Sequence, residues 1–269
     1  MTAPFKVTQS AMKDFLSYTN GNMCGLQYVA KYFDGMEFPA SDPMKLGQYF
    51  EYMATGAKTK FGHTPVAEKT QAGKLTTNYQ RVEKQVENFK RMMDFYGFKI
   101  EHVAKRIQHD NSTGDFDTVV LLTKDIALTD TLLPEGSRCI IDLKYSGLLY
   151  DKWNEMGWDA ERLPEKESIM TQSVHYTWLG LKVFNERMPF FFAVFSSTNE
   201  TDHELFHINI DEERIHKHEG FVQMAYTIIQ NEYKKGFKPH AHYKRCGECP
   251  LMPKCKYAIS VPQIKTINY

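Results

Sequence analysis

The sequence has no apolar run of about 18 or more residues, so no membrane-spanning helix is expected. Residues 1–10 lack the apolar stretch of a signal peptide. Net charge is absent as well: 33 basic side chains balance 33 acidic ones. That argues against a protein that coats nucleic acid over its whole surface, although binding responds to local field and leaves room for a basic groove. No internal repeat or low-complexity segment occurs. Cysteine is scarce and odd in number, at positions 24, 139, 246, 249 and 255. Five thiols do not make a disulfide framework, and a reducing, cytoplasmic compartment is the expectation.

With 269 residues, 42% hydrophobic and 25% charged, the chain can bury a large core without staples. Charge is uneven along it. Basic residues outnumber acidic ones over 58–106, and more strongly over 234–256. Solvated helix faces account for part of that bias.

The hydrophobic pattern changes period along the chain. Ser10 can cap a helix through Met12, Phe15 and Leu16, and Leu26 to Phe33 continues in helical register. Asp42-Pro43 opens a helix that ends near Gly56, and Thr77 to Tyr96 is a long amphipathic helix closed by Gly97. Strand-like patterns follow at Lys99 to Gln108, Phe116 to Leu122 and Cys139 to Tyr145, with a turn at Pro134-Glu135-Gly136. Glu167 to Asn185 is helical. Phe190 to Ser196 reads as a strand buried on both faces, and Leu205 to Ile210 alternates. Glu212 to Lys235 is a long helix. This order implies an α/β fold with a central mixed β-sheet flanked by helices. One domain is expected over 1–269. It has an N-terminal helical part at 1–60, a core at 98–210 and a cysteine segment at 237–269.

The segment Ile140-Ile141-Asp142-Leu143-Lys144 carries the chemistry. On a strand, Asp142 and Lys144 point to one face, where an otherwise hydrophobic strand has no structural use for two charges. Gly114-Asp115-Phe116-Asp117 opens another strand, which can pair with the first as a long-looped antiparallel hairpin. Asp117 and Asp142 could then share a divalent ion, and oxygen ligands suit Mg²⁺ or Mn²⁺. The plain alternative is an Asp142–Lys144 ion pair on an edge strand.

These motifs, in order, resemble the PD-(D/E)xK nucleases. Gln172-x-x-x-Tyr176, on the helix after the catalytic strand, resembles the RecB-like branch of that superfamily. The resemblance runs from Cys24 to Cys255. It implies a restriction-endonuclease-like core and phosphodiester hydrolysis. Glu51, Asp117, Asp142 and the carbonyl of Leu143 would be the metal ligands. Lys144 would act on the attacking water or the developing charge, and Gln172 and Tyr176 would position the site. Glu51 enters through Gly47-Gln48-Tyr49-Phe50-Glu51, where Phe50 stands beside it in place of the family's usual histidine. The interval between Asp117 and Asp142 is longer than usual for the family, which leaves Asp115 or Asp125 as alternative ligands. A deoxyribonuclease is implied, acting on single-stranded DNA or free ends, with recombination or replication proteins as partners in a bacterial or phage-infected cell. A non-catalytic end-binding subunit and a site-specific endonuclease are the alternatives.

Cys246, Cys249 and Cys255 cluster at the C-terminal end, and Cys24 is the candidate fourth thiolate. The arrangement is similar to the iron–sulfur subset of RecB-like nucleases, including CRISPR-associated and AddB-type enzymes, and implies a [4Fe–4S] cluster. Zn²⁺ and unligated thiols are the rivals. Cys139 reads as packing. Trp153 and Trp158 could stack on unpaired bases or cover the core. Tyr243, Lys244 and Arg245 could contact phosphate or simply be solvated, and the basic helix 77–96 could border DNA. His175 reads as an ordinary helix-face residue.

Overall fold

The computed structural model describes residues 5–57, 68–129, 131–147, 149 and 166–261, with side chains from 171 onward in the last segment. The chain forms two compact units, one from Met1–Pro39 with Phe221–Tyr269 and one from Ala40–Gly220. Cys24 and Glu51, grouped by sequence into one N-terminal part, therefore belong to different units.

The second unit holds α3 (Asp42–Thr55), α4 (Thr77–Tyr96), β1 (Phe98–His109), β2 (Ser112–Leu122), β3 (Ile126–Ala127), β4 (Leu132–Leu133), β5 (Arg138–Ser146), α5 (Lys166–Phe184), β6 (Phe190–Ser196) and β7 (His203–Ile208). A five-stranded sheet runs in the order β1-β2-β5-β6-β7. Only β5 and β6 are parallel, with Asp142 beside Phe192 and Lys144 beside Val194. The remaining neighbours are antiparallel. The mixed sheet expected from the pattern is present, and β5 is its central strand. Asp142 and Lys144 do form an ion pair, but on a central strand and not on an edge one.

Alternation along β5 divides its side chains between two layers. Cys139, Ile141 and Leu143 join Phe50, Val82, Val86 and Phe89 of α3 and α4 in one core. Cys139 is fully buried there, as packing predicts, and burial pushes its thiol up to about 12. On the other side, α5 lies so close that a Cβ at Gly180 would meet Met188 Cε at 2.7 Å and Ile140 Cδ1 at 3.4 Å. Helix α4 is capped by the Thr76 hydroxyl, which accepts from Tyr79 N–H at 3.2 Å, and ends in left-handed Gly97. Two of its buried polar residues fasten the β6–β7 connection. Gln85 donates to the carbonyls of Asn199 and Asp202, and Asn88 to that of Glu200. Strand β2 begins at Ser112, before the predicted Phe116. The β3–β4 hairpin was not anticipated, because two-residue strands are too short to show a period.

The first unit holds α1 (Gln9–Thr19), α2 (Gly25–Tyr32) and α7 (Tyr243–Gly247). Helix α6 (Glu212–Lys235) starts in the second unit and contributes its later turns to the first. Thr8, not Ser10, caps α1: its backbone is extended and its hydroxyl accepts from Ala11 N–H at 2.9 Å, whereas Ser10 is already helical. Stacked rings form the core, with Phe33 on Tyr233 at 3.9 Å and Tyr28 on Phe237 at 4.9 Å. No helix among the described residues is long and apolar enough to cross a membrane.

Gly25 has no room for a side chain, since a Cβ would strike the Lys238 carbonyl and lie 2.8 Å from Phe237 Cβ. Gly25→Ala is expected to lower stability by about 1–3 kcal/mol through overpacking. Gly47→Ala, on α3 with nothing nearby, is expected to raise it by roughly 0.5–1 kcal/mol. Urea unfolding midpoints of the two variants check the contrast.

Candidate functional site

The ladder between β2 and β5 extends as far as Thr118 and Ile141. Beyond that point a side chain takes over from the backbone: Asp117 Oδ2 accepts the Leu143 N–H at 2.8 Å. This brings Asp117 to Asp142, which is only 2% exposed. Asp142 Oδ1 accepts from Gln172 Nε2 at 2.7 Å, and its Oδ2 forms an ion pair with Lys144. The Lys144 ammonium also lies 5.5 Å from the centre of the Phe192 ring. Tyr176 rests against Phe116 at 5.1 Å and shares a hydrogen bond with Gln172. Glu51, partly buried on α3, lies within the field of Asp142 and Lys144. Phe50 beside it points into the core, with Tyr145 at 5.2 Å and Phe195 at 4.9 Å, so it is a packing residue.

Three carboxylates thus share one ammonium. Burial raises the Asp117 pKa well above the usual carboxylate range, and the charges of Asp142 and Glu51 raise it further. Burial also raises Asp142, against the pull of Lys144, and raises Glu51 with help from Asp142. For Lys144, burial works against the cation, but Asp142 and Asp117 outweigh it and its pKa ends above the ordinary lysine value. The site is short of positive charge. Among the described residues, no group of three or more His, Cys, Asp or Glu side chains is poised to hold a metal ion. Asp117 and Asp142 are instead engaged by Leu143, Gln172 and Lys144.

Of the two alternative carboxylates, Asp115 is largely exposed, with Arg106 at 3.9 Å, although its charge still reaches Tyr176; Asp125 accepts the Glu135 N–H at 2.8 Å.

The fold of this chain has a known counterpart. It resembles the crystal structure of a protein from Eubacterium rectale described as a candidate exonuclease, with a TM-score of 0.60 at 18% identity. The match covers 98% of this chain and 91% of that one. No family model and no curated protein matches the chain by sequence. At that identity the shared property is the fold, and the RecB-like resemblance stands on the motifs themselves.

Within the first unit, Cys24, Cys246, Cys249 and Cys255 line a single cavity, and none is in a disulfide. Backbone clamps bring Cys24 there: Gly25 N–H donates to Lys238 O at 3.1 Å, and Arg245 Nη1 donates to Gly21 O at 2.6 Å. The Cys246–Cys255 segment is wound by tight turns, with the Cys249 N–H on Cys246 O and the Cys255 N–H on Met252 O. Arg245 corrects the sequence expectation. Two of its nitrogens go to the carbonyls of Gly21 and His240, and it faces the cysteine cavity rather than offering itself to phosphate. Tyr243 packs on His242 at 5.0 Å, and Lys244 is exposed. Trp153 and Trp158 lie outside the described residues.

His175 sits on α5 with its side chain turned inward. It is fully buried, with Nδ1 3.0 Å from His218 Nε2 and its other nitrogen 3.4 Å from the Ser112 hydroxyl. One ring donates to the other, so the accepting nitrogen carries no proton. Sequence reasoning missed the pair because its members are 43 residues apart.

Two predictions follow from these charges. Burial lowers His175 to about 3, with the neighbouring His218 adding to the effect, and lowers His218 to about 4. The unfolded chain takes up protons at about pH 6.5 that the folded pair refuses. Stability from the pair is therefore complete above that pH and declines as pH falls toward 4. His218→Gln should flatten this limb in a pH series of unfolding midpoints. Glu51 behaves oppositely: its folded pKa is raised, so its ionised form opposes folding at neutral pH. Glu51→Gln is expected to stabilise the protein by about 1 kcal/mol at pH 7 in chelator, read as a higher melting midpoint.

Proposed function

We propose that the chain is a metal-dependent deoxyribonuclease that hydrolyses phosphodiester bonds at DNA ends, acting on single strands. One observation carries this reading. Asp142 and Lys144 share one face of a buried central strand, with Asp117, Glu51 and Gln172 gathered around them and too little positive charge to balance the acids. The fold shared with a candidate exonuclease supports it. The donor chemistry fits a hard cation: Glu51, Asp117, Asp142 and the Leu143 carbonyl offer oxygen ligands for Mg²⁺ or Mn²⁺. Such an ion, when bound, lowers the pKa of a water and neutralises charge on the phosphoryl group.

The chain's own residues do the rest. Lys144 places a positive charge beside the reacting phosphate and offsets charge on the departing oxygen. Gln172 fixes one oxygen of Asp142, so that carboxylate cannot rotate freely. Tyr176 buttresses Gln172 from the same face of α5. Water oxygen attacks phosphorus and gives up one proton to solvent, the bond to the leaving oxygen breaks, and that oxygen takes up a proton.

The cysteine cavity fits a resident [4Fe–4S] cluster, which would tie residue 24 to the three C-terminal cysteines. Four thiolates also suit Zn²⁺, and metal analysis of the purified protein distinguishes the two.

End-labelled linear single-stranded DNA and closed circular DNA, each with Mg²⁺ or Mn²⁺, test the activity. The linear substrate should be degraded and the circle spared. Asp142→Ala and Lys144→Met should each lose roughly 10²-fold or more in rate. Undiminished cleavage by both variants would overturn the assignment. Binding of ends without cleavage under either metal would make the chain a non-catalytic subunit, and a cut circle would make it an endonuclease.

A further inference from the structure

We infer that Arg245 is a cationic hydrogen-bond donor to the sulfur-bound group in the four-cysteine cavity, compensating its negative charge. The inference rests on the reading that these cysteines hold a metal group. Among the described residues lining that cavity, Arg245 is the one permanent cation. Leu26, Leu251 and Met252 make much of the wall apolar, so a charge there is weakly screened. Four thiolates around either an iron–sulfur core or a zinc ion leave surplus negative charge, and a half-buried site must offset it locally.

The guanidinium is already oriented for that task. Nη1 donates to Gly21 O at 2.6 Å and Nη2 approaches His240 O at 3.4 Å. The remaining Nε–H is buried with no partner. A buried, unsatisfied donor on a charged group is costly unless an acceptor arrives, and Arg245 lines the same cavity as the four cysteines. The Nη1 bond also holds the carbonyl three residues before Cys24, while Arg245 itself precedes Cys246. One side chain therefore binds the N-terminal ligand segment and neighbours the C-terminal one. Donors to cluster sulfurs favour the more reduced, more negative state and raise the reduction potential.

The test uses full-length protein purified without oxygen, comparing wild type with Arg245→Gln and Arg245→Lys. The readouts are metal release to a competing chelator and, for an iron–sulfur protein, the midpoint potential. Arg245→Gln should release metal roughly 10–100-fold more readily and shift the potential negative. Arg245→Lys keeps the charge but loses the planar fork, so a smaller shift in the same directions is expected. Should the glutamine variant fail to fold, the lysine variant carries the comparison. A loaded variant with unchanged potential and unchanged release would overturn the role of Arg245 alone. A wild type that purifies with neither iron nor zinc would overturn the metal reading, and this inference with it.

Discussion

A carboxylate buried on the middle strand of a five-stranded sheet is poorly hydrated, and the arrangement of the second unit follows from what must surround it. Asp142 lies beside Phe192 of β6, just past the end of the β2–β5 ladder, and is 2% exposed. Protein groups therefore do much of the work of water: Gln172 from α5 meets one oxygen and Lys144 the other. The same enclosure makes each further acid expensive. Asp117 and Glu51 nevertheless lie in the same field, and all three carboxylates are pushed toward neutrality. A fold selected for stability alone has no reason to hold such a set.

The sheet supplies the rigidity that this concentration of charge requires. Strand β5 sends Ile141 and Leu143 into the core beneath α3 and α4, and its opposite face toward α5. The side chains in the site are thus mounted on a strand whose other half is locked by close packing. At the end of the β2–β5 ladder, the Asp117 carboxylate replaces a backbone acceptor for Leu143. That exchange couples strand pairing to site geometry, so shifting the register by one residue would dismantle both.

The cysteine centre solves a different problem. Its four cysteines come from opposite ends of the sequence and lie on turns and at helix ends rather than on a sheet. A main-chain bond from Gly25 to Lys238 and the Arg245 side chain on the Gly21 carbonyl do the positioning there. Glycine at 25 is required by the closeness of those two segments.

Strong periodicity made most elements legible from sequence: β6 and α6 lie where the pattern puts them, and α4 is delimited by its own Thr and Gly caps. The type and order of Asp142, Lys144, Gln172 and Tyr176 were likewise local facts, since two residues along a strand or four along a helix share a face by geometry alone. Tertiary structure decided the matters that depend on meetings between distant segments. It set the Asp117 carboxylate on the Leu143 N–H, turned Arg245 onto the Gly21 carbonyl, and buried His175 against His218. It also made β5 a central strand. The physical reason is the same in each case. Periodicity reports which way a side chain leaves its own backbone, but burial and electrostatic neighbours are set by whichever segment packs opposite, and one sequence read alone holds no signal for that pairing.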